Sequence, residues 1–153
     1  MKNRTFDTLL IDGDGVLWEA NASMPGFVDF FAALKQLKIQ WGLLTNNGAK
    51  TVSDYVEKFA DFGVTASADQ IFSSAAVTAT YLHETCGKSS SVYVIGQSGL
   101  IETLASAGFE VHSGEEIPPY VDAVVVGVDR AITFGKLRVA MRLIRAGAPF
   151  IAT

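Results

Sequence analysis

The chain has 153 residues, 49% of them hydrophobic, and its 12 Lys and Arg against 16 Asp and Glu give a formal net charge of −4. A chain of this size and composition buries roughly 70% of the surface its unfolded form exposes, which argues for a filled core and against disorder. With no cluster of Lys and Arg to neutralise a phosphate backbone, nucleic acid is a poor candidate partner and none is expected.

The first apolar run, Thr8–Ile11, reads as a strand and ends at Asp12. A helix is predicted over about 25–38, opening with Pro25 where the first amide has no intrahelical partner. Its Phe27, Phe30, Phe31, Leu34 and Leu37 fall on one stripe. A strand at Ile39–Leu44 and a helix at about 50–62 follow, then a strand at Ile71–Phe72 and a helix at 74–85. The later strands are Val92–Ile95, Ala123–Val128 and Phe150–Ala152, with helices at about 97–107 and 133–146. Gly63, Gly108 and Gly147 come just after helix ends, where a left-handed residue is commonly required. Strands and helices that alternate in this way predict an α/β fold of parallel sheets with crossover helices. The runs after residue 90 form their own β-α-β-β-α-β series, and small polar stretches at 73–76 and 86–91 are candidate boundaries. The expected division is 1–74 and 75–153.

Cys86 is the only cysteine, which excludes an intramolecular disulfide and counts against a cysteine-based zinc site. No apolar run approaches the ~20 residues that span a bilayer, and Asp12 and Asp14 cut the N-terminal run short of a signal peptide. The expectation is a soluble, cytoplasmic protein with no membrane partner.

Two strand ends carry chemistry. Asp12-Gly13-Asp14-Gly15 closes the first. In an extended segment residues two apart point to the same side, and carboxylates held that close oppose each other's ionisation unless a cation or a shared proton intervenes. The glycines let the backbone turn sharply and approach a ligand. An EF-hand loop is excluded, because Val16 and Leu17 stand where an oxygen ligand and a glycine belong. The plainer alternative is a solvated Asp/Gly turn. The second strand ends in Thr45-Asn46-Asn47-Gly48. Thr45 and Asn46 can donate to anionic oxygens, and the following helix N-terminus adds backbone amides; the plainer alternative is an N-cap and turn. Together the two ends outline a site for phosphate and a divalent cation with oxygen ligands, as Mg²⁺ prefers.

The segments TLLIDGDGVLW (8–18), Pro25-Gly26, LLTNNGAKT (43–51), IFSSAAVTATYL (71–82), VYVIGQSGL (92–100), VVVGVDRAIT (124–133) and LIRAGAPFIAT (143–153) make the chain resemble the haloacid dehalogenase superfamily of phosphatases. The likeness is closest to the class IIA branch of 4-nitrophenylphosphatase and NagD-type nucleotidases. It implies a Rossmann-like parallel core, here partial, carrying a second, smaller α/β cap. The first two long segments correspond to the superfamily's motifs I and II. The resemblance then implies that Asp12 is the nucleophile, forming an aspartyl-phosphate, and that Asp14 is the general acid and base. Mg²⁺ would be held by the Asp12 carboxylate and the Asp14 backbone carbonyl, and the phosphoryl group by Thr45 with Asn46. It also implies a small phosphomonoester as substrate, whether a nucleoside monophosphate, a sugar phosphate, phosphoglycolate, pyridoxal phosphate or an aryl phosphate.

Two further motifs of the family, a phosphate-holding lysine and a later acidic pair, have no counterpart here, since Lys136 falls within a predicted helix of the second half. A partial core with an unpaired strand edge is therefore expected, weak or inactive alone and with homo-oligomer formation open. A phosphoacceptor receiver domain and a phosphate-binding module without turnover are the competing readings. No Gly-x-Gly-x-x-Gly or Walker A lysine supports the latter. Asp129-Arg130 reads as an exposed turn, His83 and His112 as packed or solvated, and Trp18 and Trp41 as core or site wall.

Overall fold

The computed structural model of the protein describes residues 6–87 and 89–153. Its contacts divide the chain into two compact units, one running to Thr45 and resuming at Val52–Ser73, the other comprising Asn46–Thr51 and Ser74–Thr153. No linker separates them at the small-residue stretch, because strand β5 (Ile71–Ser73) leads directly into helix α3 (Ser74–Thr85). Among the described residues no helix is long and apolar enough to cross a membrane.

The first unit holds β1 (Thr8–Ile11), the short hairpin β2 (Trp18–Glu19) and β3 (Ala22–Ser23), α1 (Phe27–Gln36), β4 (Gln40–Thr45), α2 (Val52–Asp61) and β5. Its main sheet is parallel, ordered β1-β4-β5, with Ile11 opposite Leu43 and Thr45 opposite Ser73. Leu9, Ile11, Trp41, Leu43 and Ile71 project to one face and pack on Phe27, Phe31, Tyr55 and Phe59 of α1 and α2. The opposite face carries Leu10, Leu44 and Phe72, which are 63, 50 and 42% exposed. The helix begins two residues later than the proline predicted: Gly26, with φ 80°, is the residue before α1, and Pro25 lies in the preceding turn. Of the five-residue stripe, Phe27, Phe31 and Leu34 are buried, whereas Phe30 and Leu37 lie at its margins and stay exposed.

The second unit is a four-stranded parallel sheet, ordered β7-β6-β8-β9, built from β6 (Ser91–Ile95), β7 (Glu110–His112), β8 (Ala123–Val126) and β9 (Phe150–Ala152). Residue alternation splits its strands between two cores. Val92, Val94, Ala123 and Val125 face α3 and α4 (Ser98–Ser106), while Tyr93, Ile95 and Val124 face α5 (Phe134–Arg145). Burial on both faces explains why these strands read as continuous apolar runs. Gly63, Gly108 and Gly147 all have positive φ, as their places after helix ends require. His83 and His112 are packed: the His83 ring stacks on Phe109 at 4.6 Å, and His112 Nε2 lies 3.0 Å from Ser91 Oγ.

The Asp129-Arg130 turn is anchored from within. Lys136 Nζ donates to Asp129 Oδ2 at 2.7 Å, and the Asp129 side chain is only 5% exposed. The Lys136 hydrogen bond, with help from the Ala131 amide and against the cost of burial, holds the Asp129 carboxyl below its ordinary value of 3.8. A carboxyl depressed in the folded state stabilises fully above its unfolded pKa, and that contribution is lost as pH falls through the folded value. Lys136→Met is expected to lower stability by about 1–3 kcal/mol at neutral pH, since it strands a buried carboxylate. Denaturant titrations of both proteins from pH 7 down to pH 3 check this: the gap between them should narrow in acid.

Candidate functional site

Pairing of β1 ends at Ile11, so the two carboxylates do not share an extended run. Instead the chain turns back on itself at once. The Gly13 carbonyl accepts from the amides of Val16, Leu17 and Trp18 at 3.2, 2.9 and 3.3 Å, and the Gly15 amide donates to the Trp18 carbonyl at 2.8 Å. This turn needs Gly15 at φ 81°. It also needs Gly13 without a side chain, because a Cβ there would lie 2.5 Å from Trp18 Cζ2. The result differs from two parallel carboxylates: each acid has its own fixed partner. Asp12 Oδ1 accepts from the Gly13 amide at 2.8 Å, and Asp14 Oδ1 accepts from Trp18 Nε1, also at 2.8 Å. Both acids are exposed, so each has oxygen lone pairs directed away from the core.

Thr45 is the last residue of β4, the strand beside β1, and is 4% exposed. Continuing the β1–β4 register past Ile11 and Leu43 brings it level with Gly13. The Thr45 and Tyr55 hydroxyls share a hydrogen bond. Burial pushes the Tyr55 hydroxyl above its usual value of 10.0 against the opposing effect of that bond, and the charges of Asp14 and Asp54 add to the rise. Tyr55 is therefore a neutral hydrogen-bonding group across the physiological range. Its ring stacks on Trp18, with centroids 6.2 Å apart. A continuous frame thus runs from Asp14 through Trp18 and Tyr55 to Thr45.

Asn46 is exposed and falls with the second unit, where its carbonyl accepts from Ser74 Oγ at 3.3 Å. The Asn47 side chain accepts the Ala49 amide at 3.1 Å, and the helix that follows starts at Val52 rather than near Lys50. Asp12, Asp14 and Thr45 are therefore brought together in one unit, and Asn46 is not part of it. Tyr55 escaped sequence reading because Tyr55, Phe59 and Phe62 lie at helical spacing, a pattern that signals core packing and nothing about a hydroxyl partner.

Among the described residues no group of three or more His, Cys, Asp or Glu is placed to hold a metal. The oxygen donors at the Asp12–Asp14 turn are two carboxylates and nearby carbonyls. Such a set fits Mg²⁺, which keeps several waters and takes one or two carboxylates together with substrate phosphate. It does not fit zinc, which takes nitrogen and sulfur ligands in a closed tetrahedron.

Residues 9–110 match the family of haloacid dehalogenase-like hydrolases. The chain is 35% identical over 153 residues to an acid sugar phosphatase of Staphylococcus saprophyticus, covering 100% of this chain and 56% of that protein. It is 33% identical over 150 residues to the 5'-nucleotidase YutF of Bacillus subtilis, covering 98% and 56%. A solved structure of a p-nitrophenyl phosphatase from Archaeoglobus fulgidus superposes with a TM-score of 0.86 at 28% identity, over 96% of this chain and 54% of that one. The chain spans about half the length of the curated relatives it matches.

Proposed function

Because the chain belongs to the haloacid dehalogenase-like hydrolase family, in its class IIA branch, we propose that it is the phosphoryl-transfer part of a Mg²⁺-dependent phosphatase acting on small phosphomonoesters. The observation that carries this reading is the turn after β1, which gives two adjacent carboxylates different partners and so different roles. Asp12, fixed through one oxygen by the Gly13 amide, keeps its other oxygen for attack on phosphorus. The P–O bond to the leaving group breaks as the Asp12–phosphorus bond forms. The departing oxygen keeps the bonding electron pair and takes a proton from Asp14, which is held by Trp18. In the second step Asp14 takes a proton from water as that water attacks the same phosphorus, which frees Asp12 and inorganic phosphate. Mg²⁺, when bound beside the Asp12 carboxylate and the Asp14 carbonyl, supplies positive charge that offsets the phosphate's.

Thr45 meets a phosphoryl oxygen with its hydroxyl, which the Tyr55 hydroxyl holds in place through their shared hydrogen bond. Residues 1–74 form the core part and 75–153 the cap, the cap choosing among esters; the names sugar phosphatase and nucleotidase borne by relatives mark the range of substrates to test.

The family's lysine and later acidic pair have no counterpart in the motifs matched. We therefore expect capture of phosphate by Asp12 to proceed while turnover by the 153-residue chain is slow. Incubation with p-nitrophenyl phosphate, a sugar phosphate and a nucleoside monophosphate, with Mg²⁺ and then with excess EDTA, tests this. Phosphate capture should need the metal and fall to background on chelation. Capture that persists unchanged in EDTA would contradict the metal role, and rapid turnover would contradict only the slow-turnover clause.

A further inference from the structure

In the first unit a groove of 660 Å³ runs between the C-terminal end of α1, the start of β4 and the segment after α2. That volume lies within the range of about 300–1,000 Å³ typical of small-molecule sites. Buried Phe31 and half-buried Trp41 underlie it, their ring centroids 4.6 Å apart. Trp41 also packs on Phe59 at 5.1 Å, and its carbonyl accepts from Gln70 Nε2 at 3.2 Å. Exposed Lys35 and Lys38 stand at the edge, and among the described residues neither ammonium has a carboxylate within ion-pair reach. The groove lies on the sheet face that α1 and α2 cover, opposite the open face of Leu10, Leu44 and Phe72. Trp41 is four residues before Thr45 on β4, about 13 Å along the strand, so the groove is apart from the turn that carries Asp12.

Lys38 is the informative residue. It follows the C-cap of α1 at φ 57°, a left-handed conformation that a side chain disfavours. The other four helices have glycine in the corresponding place, namely Gly63, Gly87, Gly108 and Gly147. The dipole of α1 does not call for this lysine, since Lys35 already puts a cation in the last turn. The Lys38 amide donates to the Lys35 carbonyl at 3.2 Å, so two like charges stand side by side, a repulsion that an anion between them relieves. We propose that the groove binds a flat aromatic carboxylate, its ring against Phe31 and Trp41 and its charge between Lys35 and Lys38. The charge count favours one negative charge over two. The C-terminal ends of α1 and α2 border the groove and contribute about half a negative charge each, which leaves the two lysines in excess by about one. A carboxylate matches that excess, whereas a doubly charged phosphate exceeds it. The aromatic floor supplies the apolar contact that a ring buries.

Nuclear magnetic resonance titration of the isotope-labelled chain with naphthoate tests this, because the probe carries no ester for Asp12 to attack. Backbone amides at 39–41 and 63–65 should shift saturably, with a dissociation constant on the order of 0.1–1 mM, while those at 13–15 and 45 stay in place. The uncharged amide of the same ring should bind about 5-fold more weakly, and Lys38→Gly should weaken naphthoate to a similar extent. Glycine takes the left-handed backbone without strain, so this variant keeps the fold, and its unchanged amide spectrum away from the groove verifies that. Equal binding of naphthoate and its amide, unchanged affinity in Lys38→Gly, shifts confined to 13–15 and 45, or no saturation by about 10 mM would each overturn the proposal.

Discussion

Asp12→Asn is expected to lower phosphoryl capture by about 10⁴- to 10⁶-fold, the scale on which covalent enzymes lose rate when a member of the nucleophilic machinery is removed, while leaving stability within about 0.5 kcal/mol. The expectation of an intact fold comes from the geometry. Asp12 is exposed, and its one internal bond is the 2.8 Å acceptance of the Gly13 amide, which an Asn Oδ1 reproduces. The expectation of lost reactivity comes from the other oxygen, which Asn replaces with an amide nitrogen that has no lone pair free to attack. Labelling with a phosphomonoester and denaturant unfolding, run on the same preparation, separate the two effects. Equal loss of both would mean that Asp12 is a structural residue of the turn.

The second large effect concerns Trp18. Trp18→Ala should destabilise the first unit by about 3–5 kcal/mol, as truncation of a buried aromatic does, a large share of a typical domain's 5–15 kcal/mol. Trp18 is fully buried and meets Tyr55, Phe59 and Phe62 at centroid distances of 6.2, 5.6 and 6.3 Å. Lys58 Nζ lies 4.3 Å above its ring and donates to the Ala20 carbonyl at 2.9 Å, tying α2 to the β2–β3 hairpin. The same residue donates the hydrogen bond that fixes Asp14. Gly13→Ala attacks the contact from the other side and should also destabilise. Unfolding followed by tryptophan fluorescence, from Trp41 alone in Trp18→Ala and from both tryptophans in Gly13→Ala, checks both, and a Trp18→Ala cost under about 1 kcal/mol would contradict this role.

Much of the fold was legible where the physics is local. The strands Thr8–Ile11 and Phe150–Ala152 have the bounds that their apolar runs predict, and the left-handed glycines mark the helix ends. The parallel sheets follow from the alternation of elements. What escaped was short or long-range. The hairpin Trp18–Glu19 with Ala22–Ser23 has strands of two residues and turns through Ala20 at φ 51°, without the Asn-Gly signal of a tight turn. Glu110–His112 is a three-residue strand with a single apolar member, so no bounds could be drawn for it. The start of α1 was misread because Pro25 fits the first turn of a helix as well as it fits the turn before one.

The placement of the candidate residues was legible only in part. Thr45 ends β4 and Asp12 follows the end of the adjacent β1, as their sequence context indicates, whereas Asp14 lies in the turn beyond. The expectation of an extended run through Asp12 and Asp14 failed, because β1 ends at Ile11 and three amides converge on the Gly13 carbonyl just beyond it. The partners that distinguish the two acids, the Gly13 amide and the Trp18 indole, depend on that turn.

The central claim is that Asp12 forms a covalent bond to phosphorus. Its direct measurement is acid quenching of the chain after exposure to Mg²⁺ and a phosphomonoester, reductive trapping of any acyl phosphate, and peptide mass spectrometry. The account predicts a modification at residue 12, absent in Asp12→Asn and decaying with release of inorganic phosphate. A modification at Asp14 instead, no modification with any ester, or a stable adduct that never releases phosphate would contradict it.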